Sequence, residues 1–178
     1  MTADELIELL RLEPLPVEGG HFRQTYVASE ALEAAALPER YMGSKPATTI
    51  IYYLLTDDAD SFSALHKLPT DEVYHFYLGD PVEHVDLHPD GSVEVCVLGH
   101  DLGAGQRVQH VAPRDCWQGS RLVSGGRFAL MGTSMTPGFT VDDYVGGERD
   151  ALTRAYPEQA ERIRALTRPD APLSMTPS

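Results

Sequence analysis

The chain has 178 residues, 42% apolar and 23% charged, which is the size and composition of one globular domain with its own core. Fourteen Lys and Arg against 27 Asp and Glu give a formal net charge of −13, which repels nucleic-acid phosphates and anionic lipid surfaces. No run of about 18 apolar residues suggests a membrane span, the acidic start MTADELIELLRLEP lacks the charge pattern of a signal peptide, and Cys96 and Cys116 have no paired spacing. A cytoplasmic protein with reduced thiols and a small-molecule ligand is the class left standing.

Thr2 and Glu5 have capping-box spacing, and Leu6, Ile7, Leu9 and Leu10 follow, so residues 2–12 read as a short amphipathic helix ended by Pro14 and Pro16. Residues 21–27 (HFRQTYV) alternate like a strand. The Ala- and Glu-rich stretch 30–46 reads as a surface insertion. From 47 to 145 come eight β-rich runs, ATTIIYYLL, SFSALHKL, EVYHFYLG, VEHVDLH, SVEVCVLG, RVQHVAP, CWQGSRLV and RFALMGTSM. Turn chemistry separates them, which predicts an all-β sandwich or barrel. Residues 148–168 read as helical, with Pro157 suited to a first turn and Ala160, Ile163 and Leu166 on one stripe. One domain over 1–168 is expected, with 169–178 a disordered tail.

The chemistry concentrates in residues 62–79. Strict alternation puts Phe62, Ala64, His66 and Leu68 on one face of a strand, and a turn at Pro69–Asp71 starts a second strand with Glu72, Tyr74 and Phe76 on one face. His66 and Glu72 then meet across a hairpin. Buried in an apolar interior they need each other, a metal or a ligand; a satisfied structural pair is the alternative. Tyr53 and Tyr74 offer phenols, with Tyr74 on the face of Glu72. Arg23 follows two glycines and suits an anion clamp or a surface ion pair. Trp117 suits packing or ring stacking. His75 lies opposite Glu72 by parity and would enter only through a bulge. His84, His88, His100 and His110 stand in or beside turns and read as solvated.

These residues also carry a resemblance. His66, Glu72 and Gly79 stand at the spacing of the first motif of the cupin family, with Leu68 in place of its second histidine. Pro113-Arg114-Asp115-Cys116-Trp117-Gln118 is similar to the second motif, with Asp115 at a glycine position, Gln118 at the histidine position and Leu122 in place of the closing Asn. Across nearly the whole chain, EGGHFRQTY, TTIIYYLL, DEVYHFYLGDP, LGHDLGAGQRVQHVAP, CWQGSR and TPGF resemble the Cupin_5 (DUF985) branch. The resemblance implies a single-domain jelly-roll β-barrel with short N- and C-terminal helices, and a homodimer.

A typical cupin metal site uses three His and one Glu. Here only His66, Glu72 and the weak amide donor Gln118 remain, so none is expected to hold metal tightly and no cofactor is required. Similarity to metal-free cupin epimerases implies a proton-transfer site on a sugar derivative or oxo-acid, with His66, Glu72 and Tyr74 catalytic. Arg23, Tyr53, His75, Trp117 and Gln118 would bind ligand. Burial and Glu72 push His66 in opposite directions, so a pKa near neutrality is expected. A non-catalytic binding or storage-type cupin, or a weak-metal enzyme, are the alternatives.

Overall fold

A computed structural model describes residues 1–176; residues 177 and 178, the end of the expected tail, lie outside the described residues. In chain order the elements are α1 (Ala3–Leu10), β1 (Glu13–Pro14), β2 (His21–Val27), β3 (Ala31–Leu32), β4 (Lys45–Pro46), β5 (Thr49–Thr56), β6 (Ser63–Lys67) and β7 (Glu72–Gly79). There follow β8 (Val82–Leu87), β9 (Val93–Leu98), β10 (Gln109–Ala112), β11 (Trp117–Leu122), β12 (Phe128–Met135), β13 (Val145–Gly146), α2 (Arg149–Ala155) and α3 (Ala160–Ala165). Each predicted β-run contains one of these strands. Helix α1 begins where expected, with Thr2 accepting from the Glu5 amide at 3.2 Å and Glu5 accepting from the Thr2 amide at 2.7 Å.

The strands form a six-stranded sheet, β1-β2-β5-β12-β7-β10, and a five-stranded sheet, β13-β6-β11-β8-β9. All named pairs are antiparallel. The two sheets do not close into one continuous ladder. They face each other as a jelly-roll sandwich: Tyr53, Leu55, Tyr74, Phe76, Ala129 and Met131 of the first pack against Val82, Cys96 and Leu98 of the second. Inward-facing residues alternate with outward ones along each strand.

Helices close the outer faces. Leu6 and Leu12 cover Leu54, Phe128 and Leu130 on the six-stranded sheet. Leu152, Ile163 and Leu166 cover Leu65, Val85 and Leu87 on the five-stranded sheet. Each such fully buried aliphatic side chain contributes about 1.5–3 kcal/mol through removal from water. The 30–46 stretch forms the small β3-β4 pair, and Lys45 within it is buried. No helix among the described residues is long and apolar enough to cross a membrane.

Candidate functional site

Strand β6 departs from strict alternation. Gln118 pairs with His66, but Ser120 pairs with Ser63, so β6 carries one extra residue between them. That bulge sends Ser63 and His66 inward and turns Phe62, Ala64 and Leu65 to the helical layer. The expected face of Phe62, Ala64 and His66 is therefore corrected: His66 keeps its inward position through a bulge, not through alternation. The bulge also frees the Ala64 carbonyl, which lies 2.8 Å from His66 Nδ1.

Glu72 opens β7 in the other sheet, so the expected hairpin is corrected: β6 and β7 do not pair, and His66 and Glu72 meet across the sandwich. The Glu72 Oε2 lies 4.0 Å from His66 Nε2 and accepts from Tyr74 at 3.2 Å and from the Gln118 amide nitrogen at 2.9 Å. His66, Glu72, Tyr74 and Gln118 are all buried. Burial pushes the Glu72 carboxyl up, but His66, Thr133 and Tyr74 outweigh it and hold the group below its usual value. Burial alone would favour neutral His66, yet the Glu18 and Glu72 carboxylates and the Ala64 carbonyl raise it to about 9. The expectation of a near-neutral His66 is thus revised, and at pH 7 the ring is an imidazolium.

Glu18 was not singled out by its sequence context. It reaches inward from the turn before β2, with Oε1 accepting from Ser63 at 2.8 Å, and burial raises its pKa. Gly19 (φ 101°) makes this turn possible, because a Cβ there would stand 2.5 Å from the Phe62 carbonyl. Tyr53 faces inward from β5 and donates to the Gly19 carbonyl at 3.1 Å. A glycine pair after an acidic residue is the signal that marks Glu18.

Tyr144 caps the site. Its ring stacks on His66 with centroids 5.1 Å apart and an interplanar angle of 17°. It is held there by β13, where Gly146 pairs with His66, and by the buried ion pair of neighbouring Asp143 with Lys45 at 2.5 Å. Leu65 donates to the Leu166 carbonyl at 2.8 Å, and Arg168 donates to the Val17 and Glu18 carbonyls at 3.3 and 3.1 Å.

A second polar group lies beside the first. His84 and Asp86 share the inner face of β8, opposite Ser120 and Gln118, and His110 reaches them from β10. Asp86 accepts at Oδ2 from His110 Nε2 at 2.6 Å, while Oδ1 lies 3.2 Å from His84 Nε2. All three are buried, so the expectation that His84 and His110 are solvated is wrong. The two groups meet at Tyr74, whose ring lies 4.8 Å from that of His84. Buried side-chain atoms without partners cluster here too: Gln118 Oε1, Ser120 Oγ and His84 Nδ1.

Three expected ligand contacts are not brought to this interior. Arg23 faces outward, donating to the Leu10 carbonyl at 2.8 Å and lying 5.9 Å from the Tyr52 ring centre. His75 also faces away from Glu72 and meets exposed Gln109 at 3.2 Å, as parity dictates without a bulge at that position. Trp117 packs with Leu87 and the helical layer, under Lys67.

The fold and this polar interior define a jelly-roll cupin. The chain belongs to the cupin superfamily group known as DUF985, whose family model matches residues 4–145. It is 27% identical over 159 residues to an uncharacterised Saccharomyces cerevisiae protein, covering 84% of this chain and 78% of that one. A solved Shewanella oneidensis protein is 32% identical with a TM-score of 0.83, covering 96% and 99% of the two chains. A Leishmania major hypothetical protein is 24% identical with a TM-score of 0.84, covering 95% and 100%, and supports the fold alone.

Cupins can bind metal, and the positions corresponding to a cupin metal site do not fit one here. Leu68 supplies no donor, and Gln118 turns a nitrogen donor toward Glu72. One imidazole and one carboxylate remain, too few for tight divalent binding.

Proposed function

We propose that this protein binds a small polar molecule between its sheets and moves a proton on it, as an isomerase, epimerase or lyase that needs no metal at His66 and Glu72. The observation that carries this reading is the buried imidazolium and carboxylate pair bordered by the unpartnered Gln118 Oε1 and Ser120 Oγ, since buried polar atoms rarely go unsatisfied without a ligand or water. The charge states divide the acid and base roles that the sequence left open. Glu72, held as a carboxylate, accepts the proton; His66, charged at pH 7, donates one to the opposite end of the substrate. Tyr74 orients Glu72 through its hydroxyl.

Among the described residues, and apart from the Lys45–Asp143 ion pair, the acids and histidines of the two polar groups are Glu18, His66, Glu72, His84, Asp86 and His110, and three of the six are carboxylic acids. No Lys or Arg stands with them; Arg107 only reaches His110 from the exposed side, at 3.4 Å. That balance favours an uncharged sugar derivative over an oxo-acid. A homodimer and a cytoplasmic setting belong to the same reading, the latter in keeping with two free buried thiols.

The test is a screen of neutral sugars and oxo-acids by thermal shift, followed by proton exchange at carbon in deuterated water. Wild-type protein should exchange a bound sugar's proton, and His66→Asn should lose roughly 10²–10⁴-fold in rate. Binding without exchange would support the second reading, a non-catalytic binding cupin, which the tight stacking of Tyr144 on His66 favours.

A further inference from the structure

We propose that His84, Asp86 and His110 form a divalent transition-metal site inside the sandwich, separate from the His66, Glu72 and Gln118 positions. Two imidazoles and one carboxylate are a donor set that first-row metals such as iron, manganese and cobalt accept while leaving positions open for water or a ligand. The three side chains offer ligand atoms that all lie within 4.8 Å of one another. Both histidines direct Nε2 at the same carboxylate, at 3.2 and 2.6 Å. An ion held at about 2.1 Å from each donor requires donor atoms roughly 3 Å apart, so a small rotation of His84 toward the other two completes the shell.

The placement is one that strands produce without strain. His84 and Asp86 are two residues apart on β8 and so project to one face, while β10 delivers His110 from the opposite sheet. All three are almost wholly removed from water, where a lone carboxylate between two imidazoles is costly unless paired or bound. Two further atoms point the same way: His84 Nδ1 and the cross-strand Ser120 Oγ are buried without partners, and a metal-bound imidazole uses its second nitrogen to donate to such an oxygen. The Tyr74 ring on His84 would set such an ion beside Glu72.

The alternative is a purely ionic triad with no affinity for metal. Full-length protein, stripped with chelator, is titrated with Co²⁺ alone and followed by visible absorption and equilibrium dialysis. One saturable Co²⁺ per chain is expected, with affinity at least 100-fold weaker in Asp86→Asn and in His110→Gln, and unchanged in His66→Asn and Glu72→Gln. Absence of saturable Co²⁺ in the wild type overturns the site outright, whatever the folding of the variants. Binding that survives both triad substitutions, or disappears in His66→Asn, overturns its location. Because the His66 and Glu72 variants serve as the metal-competent controls, loss of proton exchange in them leaves the metal result standing, and the reverse holds equally.

Discussion

His66 Nδ1 lies 2.8 Å from the carbonyl oxygen of Ala64, two residues back in the same strand. That contact exists only because β6 is bulged between the positions facing Gln118 and Ser120. A regular strand would spend the Ala64 carbonyl on its ladder. The bulge therefore fixes the ring's rotation, makes Nδ1 a donor, and leaves Nε2 as the atom aimed at Glu72.

The charged state of His66 sets a pH dependence. Its pKa in the folded protein is raised from 6.5 to about 9, so the pairing with Glu72 and Glu18 contributes fully below about pH 6.5 and is lost as pH rises through about 9. Tyr53, Tyr74 and Tyr144 also face this group, and burial raises all three phenols. For a pair this deeply buried the contribution is on the order of 3 kcal/mol. Urea unfolding of wild type and His66→Asn from about pH 6 to 9.5 should show the wild type's advantage shrinking across that interval. A constant difference between the two would mean that the ring is neutral in the folded protein.

Lys45 and Asp143 are both buried, 2.5 Å apart, and Asp143 precedes the tyrosine that covers His66. Asp143→Ala strands the Lys45 ammonium and should cost about 3–5 kcal/mol. It should also make His66 reactive to imidazole-directed acylation at about pH 9.5, above its raised pKa, where the neutral ring of the wild type stays covered by Tyr144. Lys45→Met with Asp143→Leu should regain most of the stability. Equal reactivity of His66 in wild type and Asp143→Ala would show that the ion pair does not hold the cover.

Leu166 is fully buried beneath the five-stranded sheet, while Leu9 on α1 is 68% exposed. Leu166→Ala should cost about 2–5 kcal/mol in chemical denaturation, and Leu9→Ala within about 0.5 kcal/mol. Because the Leu166 carbonyl still accepts from Leu65 in the alanine variant, the loss measures packing alone. Similar costs at both positions would contradict the layer assignment.

A homodimer is expected through the free edge of β2. Beyond its short pairing with β1 this strand meets only β5, and Tyr26 and Val27 are exposed on it, the arrangement that strand edges normally avoid. Light scattering at micromolar concentration should give about twice the 19.5 kDa chain mass. Val27→Lys should shift it toward the monomer. A wild-type mass near one chain would remove the proposal.

The strands were legible because their patterns are short, alternating and bounded by turn residues; residues 21–27 and 72–79 match β2 and β7 end to end. His66 and Glu72 were legible as partners, but not as the hairpin that Pro69–Asp71 suggested: β6 and β7 lie in different sheets, so the two meet across the sandwich, and the bulge that orients His66 leaves no mark in SFSALHKL. His84 and Asp86 did carry a signal, a histidine and an acid two apart in a run bounded by Val82 and Leu87, but both faces of β8 are buried, which blurs polarity as a guide. His110 joins them across 24 residues of chain, and only sheet register brings it there. Arg23 was misdirected for a related reason: HFRQTYV alternates equally well either way, and Phe22 took the inner face.

The ties from Leu166 to Leu65 and from Arg168 to Val17 and Glu18 bear on how the protein is made. The strands holding His66 and Glu72 leave the ribosome long before the segment that covers them. Until Tyr144 has emerged, His66 lacks its aromatic cover, and until Arg168 follows, the Glu18 turn lacks its guanidinium tie, so the nascent chain carries an open, wet precursor of the site. The interior charges are thus dehydrated late in synthesis, after the sheets exist to neutralise one another's side chains, and a ribosome stalled before that point would display a β-sandwich with no closed site.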